Sequence, residues 1–321
     1  MAYENELAIA QKAVIAAAQL CETVRRDMVP EAMEKQDKSP VTVADYGSQA
    51  IICKALSEAF PNDPVVGEED AAELKQPEMR DRLQQVTQFV EGVIGTVMPE
   101  DVTRWIDHGN GAAAKRFWTL DPIDGTKGFL RGDQYAIALA LIEDGDLKVG
   151  ILGCPALDLG QGTTGLLFTA VRGEGTYMQP IAGGEAQQVK VVQPGDSARL
   201  RFVESVEASH GNQSEQEAVA KAVGITQASV RMDSQAKYGA VAAGEAALYL
   251  RLPSPKYPDY REKIWDHAAG AIVVEEAGGK VTDMYGKPLD FYSAAKMNDN
   301  RGVVVSNGII HTDVMSALQT G

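Results

Sequence analysis

The run Phe117-Trp118-Thr119-Leu120-Asp121-Pro122-Ile123-Asp124-Gly125-Thr126 decides the reading of this chain. Its apolar lead predicts a buried strand, and Pro122 stiffens the turn that ends it. In such a turn the carboxylates of Asp121 and Asp124 converge, and the Ile123 carbonyl points the same way. Hard oxygens so closely spaced suit Mg²⁺, which prefers carboxylates and carbonyls and keeps some waters. Gly125-Thr126 then opens a helix, where free backbone N–H groups hold a phosphate oxygen. A bare Asp-x-x-Asp is most often an acidic surface turn. The complete run joins a turn former, metal ligands and an anion cradle.

Paired metals about 3.5–4 Å apart need more carboxylates than one turn supplies. Glu68, after the short apolar stretch Pro64-Val65-Val66-Gly67, is the upstream candidate. Asp266, at the start of a helix reading Trp265-Asp266-His267-Ala268-Ala269-Gly270, is the downstream one. Alone, either reads more simply as a helix-terminal carboxylate favoured by the macrodipole. Thr42 and Asp45 have the spacing of a helix capping box. The functional reading makes Asp45 a proton acceptor working with the Thr126 hydroxyl on an attacking water. Both readings are compatible.

Outward from this centre, Ile9, Ala13, Ala16, Leu20 and Val24 lie at helical spacing before Pro30. A second helix is predicted from about Asp45 to Phe60. Residues Ala71 to Lys115 look like an insertion, either a flap or a covering helix with a stripe through Leu83, Val86, Val90, Val93 and Val97. Tyr135 to Ile142 and Leu147 to Cys154 flank Asp144-Gly145, an antiparallel hairpin signal. Beyond Val192, predicted strands alternate with helices. The fold class is therefore α/β: an α+β N-terminal half (1–190) carrying the metal site, then an α/β half (191–321).

The chain has 321 residues and a formal net charge of -15, from 45 acids against 30 bases. That balance argues against nucleic acid or an anionic membrane as partner. It also repels a phosphate substrate, so cations and local Lys or Arg must reverse the field at the site. No stretch of about 20 apolar residues predicts a membrane span. The acid-rich N-terminus and the sparse, unpaired Cys21, Cys53 and Cys154 predict a cytoplasmic address. A monomer is the expected state.

Together these motifs resemble the lithium-sensitive, magnesium-dependent phosphatase superfamily of inositol monophosphatase and fructose-1,6-bisphosphatase, nearly end to end. Gly67-Glu68-Glu69, the acidic run, Trp265-Asp266 and Glu276-Ala277-Gly278-Gly279 carry the likeness. Within it, the chain is most similar to the bisphosphate nucleotidases of yeast and plants. That likeness rests on Asp37-Lys38-Ser39-Pro40-Val41-Thr42, Gly125 to Gly132, Asp233-Ser234-Gln235-Ala236-Lys237-Tyr238, Tyr249 to Pro253 and Glu262 to Gly270. Inositol monophosphatases usually carry Asn at the position of Gly128.

The resemblance implies a layered α/β/α/β/α sandwich. It implies two to three Mg²⁺ held by Glu68, Asp121, the Ile123 carbonyl, Asp124 and Asp266, with Asp45 and Thr126 activating water. It also implies substrate contacts from Gly125, Thr126, His210, Ser234, Lys237, Arg251 and Asp266. The family's His-Ser-Ser-His-like stretch reads His210-Gly211-Asn212-Gln213 here, so the second His is missing. Read without the resemblance, Lys237 is a solvated helix residue, Arg251 a strand-end surface charge and His210 a loop histidine. The expected reaction is hydrolysis of the 3′-phosphate of adenosine 3′,5′-bisphosphate, with its 5′-phosphosulfate analogue as a second substrate, in sulfur metabolism. An inositol (poly)phosphate 1-phosphatase and a catalytically silent nucleotide sensor are the alternatives.

Overall fold

In a computed structural model, described for residues 2–28, 32–34, 40–160, 162–206, 213–254, 256–257 and 259–320, each apolar stripe meets a partner surface. The N-terminal part runs α1 (Glu4–Asp27), β1 (Met33–Glu34), β2 (Pro40–Val41), α2 (Val43–Ala59), β3 (Val65–Gly67), α3 (Arg80–Ile94) and α4 (Pro99–Asp107). Then come β4 (Arg116–Asp124), α5 (Thr126–Arg131), β5 (Ala136–Glu143), β6 (Asp146–Asp158), β7 (Thr164–Val171), β8 (Gly175–Pro180) and β9 (Gln187–Val189). Strands β3 to β9 form one sheet in sequence order, with only the β3–β4 pair parallel. The β5–β6 turn has φ 53° at Asp144 and φ 82° at Gly145. Both residues are left-handed, which matches a two-residue hairpin of the predicted kind.

The C-terminal part runs β10 (Phe202–Glu204), α6 (Gln213–Ala222), β11 (Val230–Arg231), α7 (Ala236–Ala242), β12 (Leu248–Arg251), α8 (Ala268–Glu276), β13 (Lys280–Thr282), β14 (Val303–Ser306) and α9 (His311–Thr320). Its sheet has the order β11-β10-β12-β14-β13.

Side-chain alternation stacks these pieces. On β5, Ile137, Leu139 and Leu141 enter one core with α1 and α2. Ala136, Ala138, Ala140 and Ile142 enter a second core with α7 and α8. The small side chains on that face let α8 come close, and Gly150 is required there because a Cβ would collide with Ile272. The second core also takes Tyr249, Val303 and Val305 from the smaller sheet. Leu248, Leu250 and Val304 face the opposite way, into a third core with α6 and α9. Three cores between five layers make the α/β/α/β/α sandwich.

Of the two alternatives for residues 71–115 the covering helix holds: Val86, Val90, Val102 and Ile106 bury α3 and α4 in the first core, beside α2. Two details differ from the sequence reading. The helix expected from Trp265 begins at Ala268, so Asp266 lies in the turn before it. Over an 18-residue window α1 reaches a mean hydropathy of 1.3, enough by length and composition to cross a membrane. Its stripe of Ala10, Ala13, Val14, Ala17, Leu20, Cys21 and Val24 is instead buried against α2 and β6. All three cysteines are free and buried, and burial pushes each thiol up.

Candidate active site

On β4, Asp121 shares the parity of Phe117, so it faces the second core rather than the first. The β4–β5 register shifts between Asp121 and Asp124. Such an irregularity re-aims side chains and is common beside functional sites. The turn is tied down from α2, where Ser48 Oγ donates to the Pro122 carbonyl at 2.9 Å, and the Ile123 N–H donates to Asp121 Oδ1 at 3.1 Å. Parallel pairing places Gly67 opposite Leu120, and the Glu68 N–H donates to the Leu120 carbonyl at 3.1 Å. Glu68 thereby comes beside Asp121, and the two side chains share a hydrogen bond.

Burial first, then the charges of Glu68, Asp124 and Asp266, hold the Asp121 carboxyl well above the usual carboxylate range. Burial also raises Asp124, against the pull of Lys237 and Arg251. It raises Asp266 too, where Arg251 opposes while Glu262, Asp124 and Glu68 reinforce. Acids gathered where burial and neighbouring carboxylates disfavour ionisation, as at Asp121 and Asp266, make a place suited to a cation. Their donor set is all hard oxygen, so the residues fit Mg²⁺.

Among the described residues, Glu262, Asp266 and His267 bring their ligand atoms within 4.8 Å of one another. This acidic and histidine cluster is consistent with a metal site. It shares Asp266 with the five residues expected from the sequence. Its Glu262 is already engaged, since Oε2 meets Arg251 Nε at 2.8 Å and His267 Nε2 at 3.2 Å. Burial acts to raise the Glu262 carboxyl, but Arg251 and His267 outweigh it and hold it down at about 2. His267 Nδ1 in turn meets the Tyr238 hydroxyl at 2.7 Å.

Asp45 is fully buried and makes contacts on both its oxygens. Oδ2 accepts from the Thr42 N–H at 2.7 Å and its hydroxyl at 2.6 Å, closing the capping box of α2. Oδ1 accepts from the Thr126 hydroxyl at 3.3 Å. That hydroxyl also lies 3.3 Å from the Ile123 carbonyl, so Asp45, Thr126 and Ile123 meet at one point. Gly125 starts α5 with φ 87°, and a Cβ there would come 2.9 Å from Ser234 Cβ.

Neither Lys237 nor Arg251 is a solvated charge. Arg251 has the parity of Tyr249 on β12 and so points to the middle layer. Lys237 is 3% exposed, with Nζ 5.1 Å from the Tyr249 ring centroid. Burial pulls its pKa down to about 8; Asp124 and Asp233 oppose, and Arg251 adds to the fall. Ser234 lies just before α7 with φ 63°. His210 falls outside the described residues.

Sequence reasoning missed Gln235. Its N–H donates to Asp124 Oδ2 at 2.6 Å, and its side chain joins the Trp265 carbonyl at 2.9 Å to the Gly270 N–H at 3.0 Å. One neutral residue thus ties the acidic run to the Asp266 turn. Gln49 does the same for the Glu68 loop, meeting Glu69 and the Ile106 carbonyl. Uncharged side chains carry no chemical signal in a sequence.

Comparison with known proteins agrees with this geometry. The model of the inositol monophosphatase family matches residues 2–320. A 3′(2′),5′-bisphosphate nucleotidase of Emericella nidulans is 42% identical over 99% of each chain. One from Schizosaccharomyces pombe is also 42% identical, over 99% of this chain and 96% of its own. One from Oryza sativa is 42% identical over 99% and 94%. Among solved structures, an inositol monophosphatase of Thermotoga maritima superimposes with a TM-score of 0.68 at 23% identity, over 99% of this chain and 98% of its own. That likeness shows the fold. On the sequence matches, the chain belongs to the inositol monophosphatase family and, within it, to the 3′(2′),5′-bisphosphate nucleotidases.

Proposed function

We infer that the chain is a magnesium-dependent phosphoric monoester hydrolase acting on nucleotide bisphosphates. Its substrate on this reading is adenosine 3′,5′-bisphosphate, cleaved at the 3′-phosphate to AMP and phosphate, with the 5′-phosphosulfate analogue as a second substrate in sulfur metabolism. The observation that carries it is the meeting of acids with the buried Lys237 and the partly buried Arg251 around Asp124 and Asp266. In a chain of net charge -15, the second phosphate needs fixed cations, and these two are placed to supply them. The free, buried cysteines agree with a reducing, cytoplasmic setting.

Glu68, Asp121, the Ile123 carbonyl, Asp124 and Asp266 would hold two to three Mg²⁺. When bound, the ions polarise the phosphoryl group and neutralise its charge. Asp45 keeps its Oδ2 saturated by Thr42, leaving Oδ1 for Thr126. The Thr126 hydroxyl donates there, so its lone pairs face the attacking water. As that water loses a proton to Thr126 Oγ1, the hydroxyl proton passes to Asp45 Oδ1. The Gly125 and Thr126 N–H groups hold a phosphate oxygen, while Ser234, Lys237, Arg251 and His210 receive the nucleotide.

Phosphate release by the purified protein tests this reading, with adenosine 3′,5′-bisphosphate and inositol 1,4-bisphosphate run side by side in Mg²⁺. The nucleotide should be turned over and preferred. A preference for the inositol substrate would reassign the specificity, and no release from either would point to a silent sensor.

A pH dependence follows from Lys237. Its folded pKa of about 8 lies below the ordinary 10.5, so the ammonium is charged at pH 7 and lost above pH 8. KM for the bisphosphate should therefore climb from pH 7 to pH 9 while KM for a simple monophosphate stays flat. Parallel curves for the two substrates would rule out a Lys237 contact with the second phosphate.

A further inference from the structure

We propose that Arg131 and Asp233 form a positioning pair that sets the bisphosphate specificity of this site, an inference that rests on the function proposed above. Arg131 ends α5, and its guanidinium pairs with the Asp233 carboxylate. Asp233 is 4% exposed and directly precedes Ser234, Gln235 and Lys237. Neither partner belongs to the metal or substrate contacts described above.

The two segments touch along their whole length. At the start of α5, Gly125 packs against Ser234, where a Cβ would sit 2.9 Å from Ser234 Cβ. In its middle, Gly128 packs against Asp233, where a Cβ would sit 2.9 Å from Oδ2 and would also collide with the Gln134 carbonyl. At its end, Arg131 closes the contact by charge. On the facing side these anchors fall on the adjacent residues Asp233 and Ser234, so they hold the backbone immediately before Gln235 against α5.

What the pair holds in place is a strained backbone. Of the three non-glycine residues with positive φ among the described residues, Asp144 lies in a hairpin turn and Tyr3 caps α1. Ser234 is the one at the site. A residue with a side chain keeps φ 63° only where its surroundings impose it. Relaxed to negative φ, Ser234 would swing the Gln235 N–H off Asp124 and carry Lys237 from the middle layer. The acids and the Asp45–Thr126 couple lie outside residues 233–237, so they lose the Gln235 ties to Asp124 and to the Trp265 turn but keep their own elements. Loss of the pair should therefore weaken recognition of the second phosphate more than it weakens the hydrolytic chemistry.

The test is steady-state kinetics in Mg²⁺ on adenosine 3′,5′-bisphosphate and on 4-nitrophenyl phosphate. The variants are Asp233→Asn, Arg131→Gln, Arg131→Lys and the exchanged double variant Arg131→Asp/Asp233→Arg. Asp233→Asn and Arg131→Gln should each raise KM for the bisphosphate about tenfold with kcat within about twofold, as misplacement of a binding group predicts. Both should change KM for the monophosphate far less. Arg131→Lys, and to a lesser degree the exchange, should restore KM. Unchanged KM in both neutral variants overturns the pair, and so does an equal fall on both substrates with a lowered melting temperature. A wild type that cleaves only the monophosphate overturns the functional reading and the pair together. A wild type active on the bisphosphate, with variants that match it, overturns the pair alone.

Discussion

Asp121→Asn should lower kcat for phosphate release from adenosine 3′,5′-bisphosphate by about 10³-fold or more. The substitution keeps the shape of the side chain and removes one negative charge from the buried acidic group. Asp121 is 1% exposed, and burial together with Glu68, Asp124 and Asp266 disfavours its ionised form. In chelator, therefore, the variant should melt at the same temperature as the wild type or above it, because a repulsive charge has gone. Added Mg²⁺ should raise the melting temperature of the wild type and leave that of the variant nearly unmoved. This second readout separates lost metal binding from misfolding. Wild-type turnover in Asp121→Asn would end the metal role given to this residue.

The second large effect is expected of Arg251→Ala. Arg251 Nε holds Glu262 Oε2 at 2.8 Å, and Glu262 in turn holds His267. Removing the guanidinium leaves Glu262 with His267 alone in a buried place, a loss of about 3 kcal/mol by the general cost of orphaning a buried charge. The melting temperature should fall accordingly. KM for the bisphosphate should rise by about 10²-fold, the scale of a lost charge-assisted contact of roughly 2–3 kcal/mol. Turnover of a simple monophosphate should change far less. Arg251→Lys should recover part of the stability but little of the KM, since an ammonium cannot serve Glu262 and a phosphate as a planar fork does. An equal loss on both substrates would remove Arg251 from the second-phosphate site.

These predictions draw unequally on sequence and structure. Asp121, Asp124 and Thr126 were legible because a turn former, carboxylates and a helix start fall within a few residues, so local geometry alone brings them together. The hairpin at Asp144-Gly145 was legible for the same reason. Glu68 and Asp266 were found only as companions to that run, since an acid after a strand or before a helix has an ordinary explanation. Lys237 and Arg251 were picked out by the resemblance alone, and residue type and spacing left them as surface charges; alternation on β12 and the packing of α7 turn them inward. Gln235, Gln49 and Ser48 were invisible, though each ties one site segment to another by hydrogen bonds. Residues 71–115 left a choice between a flap and a covering helix, which their burial beside α2 resolves.

By itself, then, the sequence determined the candidates for the chemistry, the oxygens proposed for a metal and the hydroxyl and carboxylate proposed for a proton, together with the α/β order of the elements. Those follow from residue type and short-range spacing. Only the tertiary structure decided that Glu68 touches Asp121, that Arg251 pairs with Glu262, and that Arg131 reaches Asp233 across about a hundred residues of chain. Such contacts depend on strand register and on which face of a sheet a side chain occupies. A one-residue shift in either reverses them, and no local pattern records it.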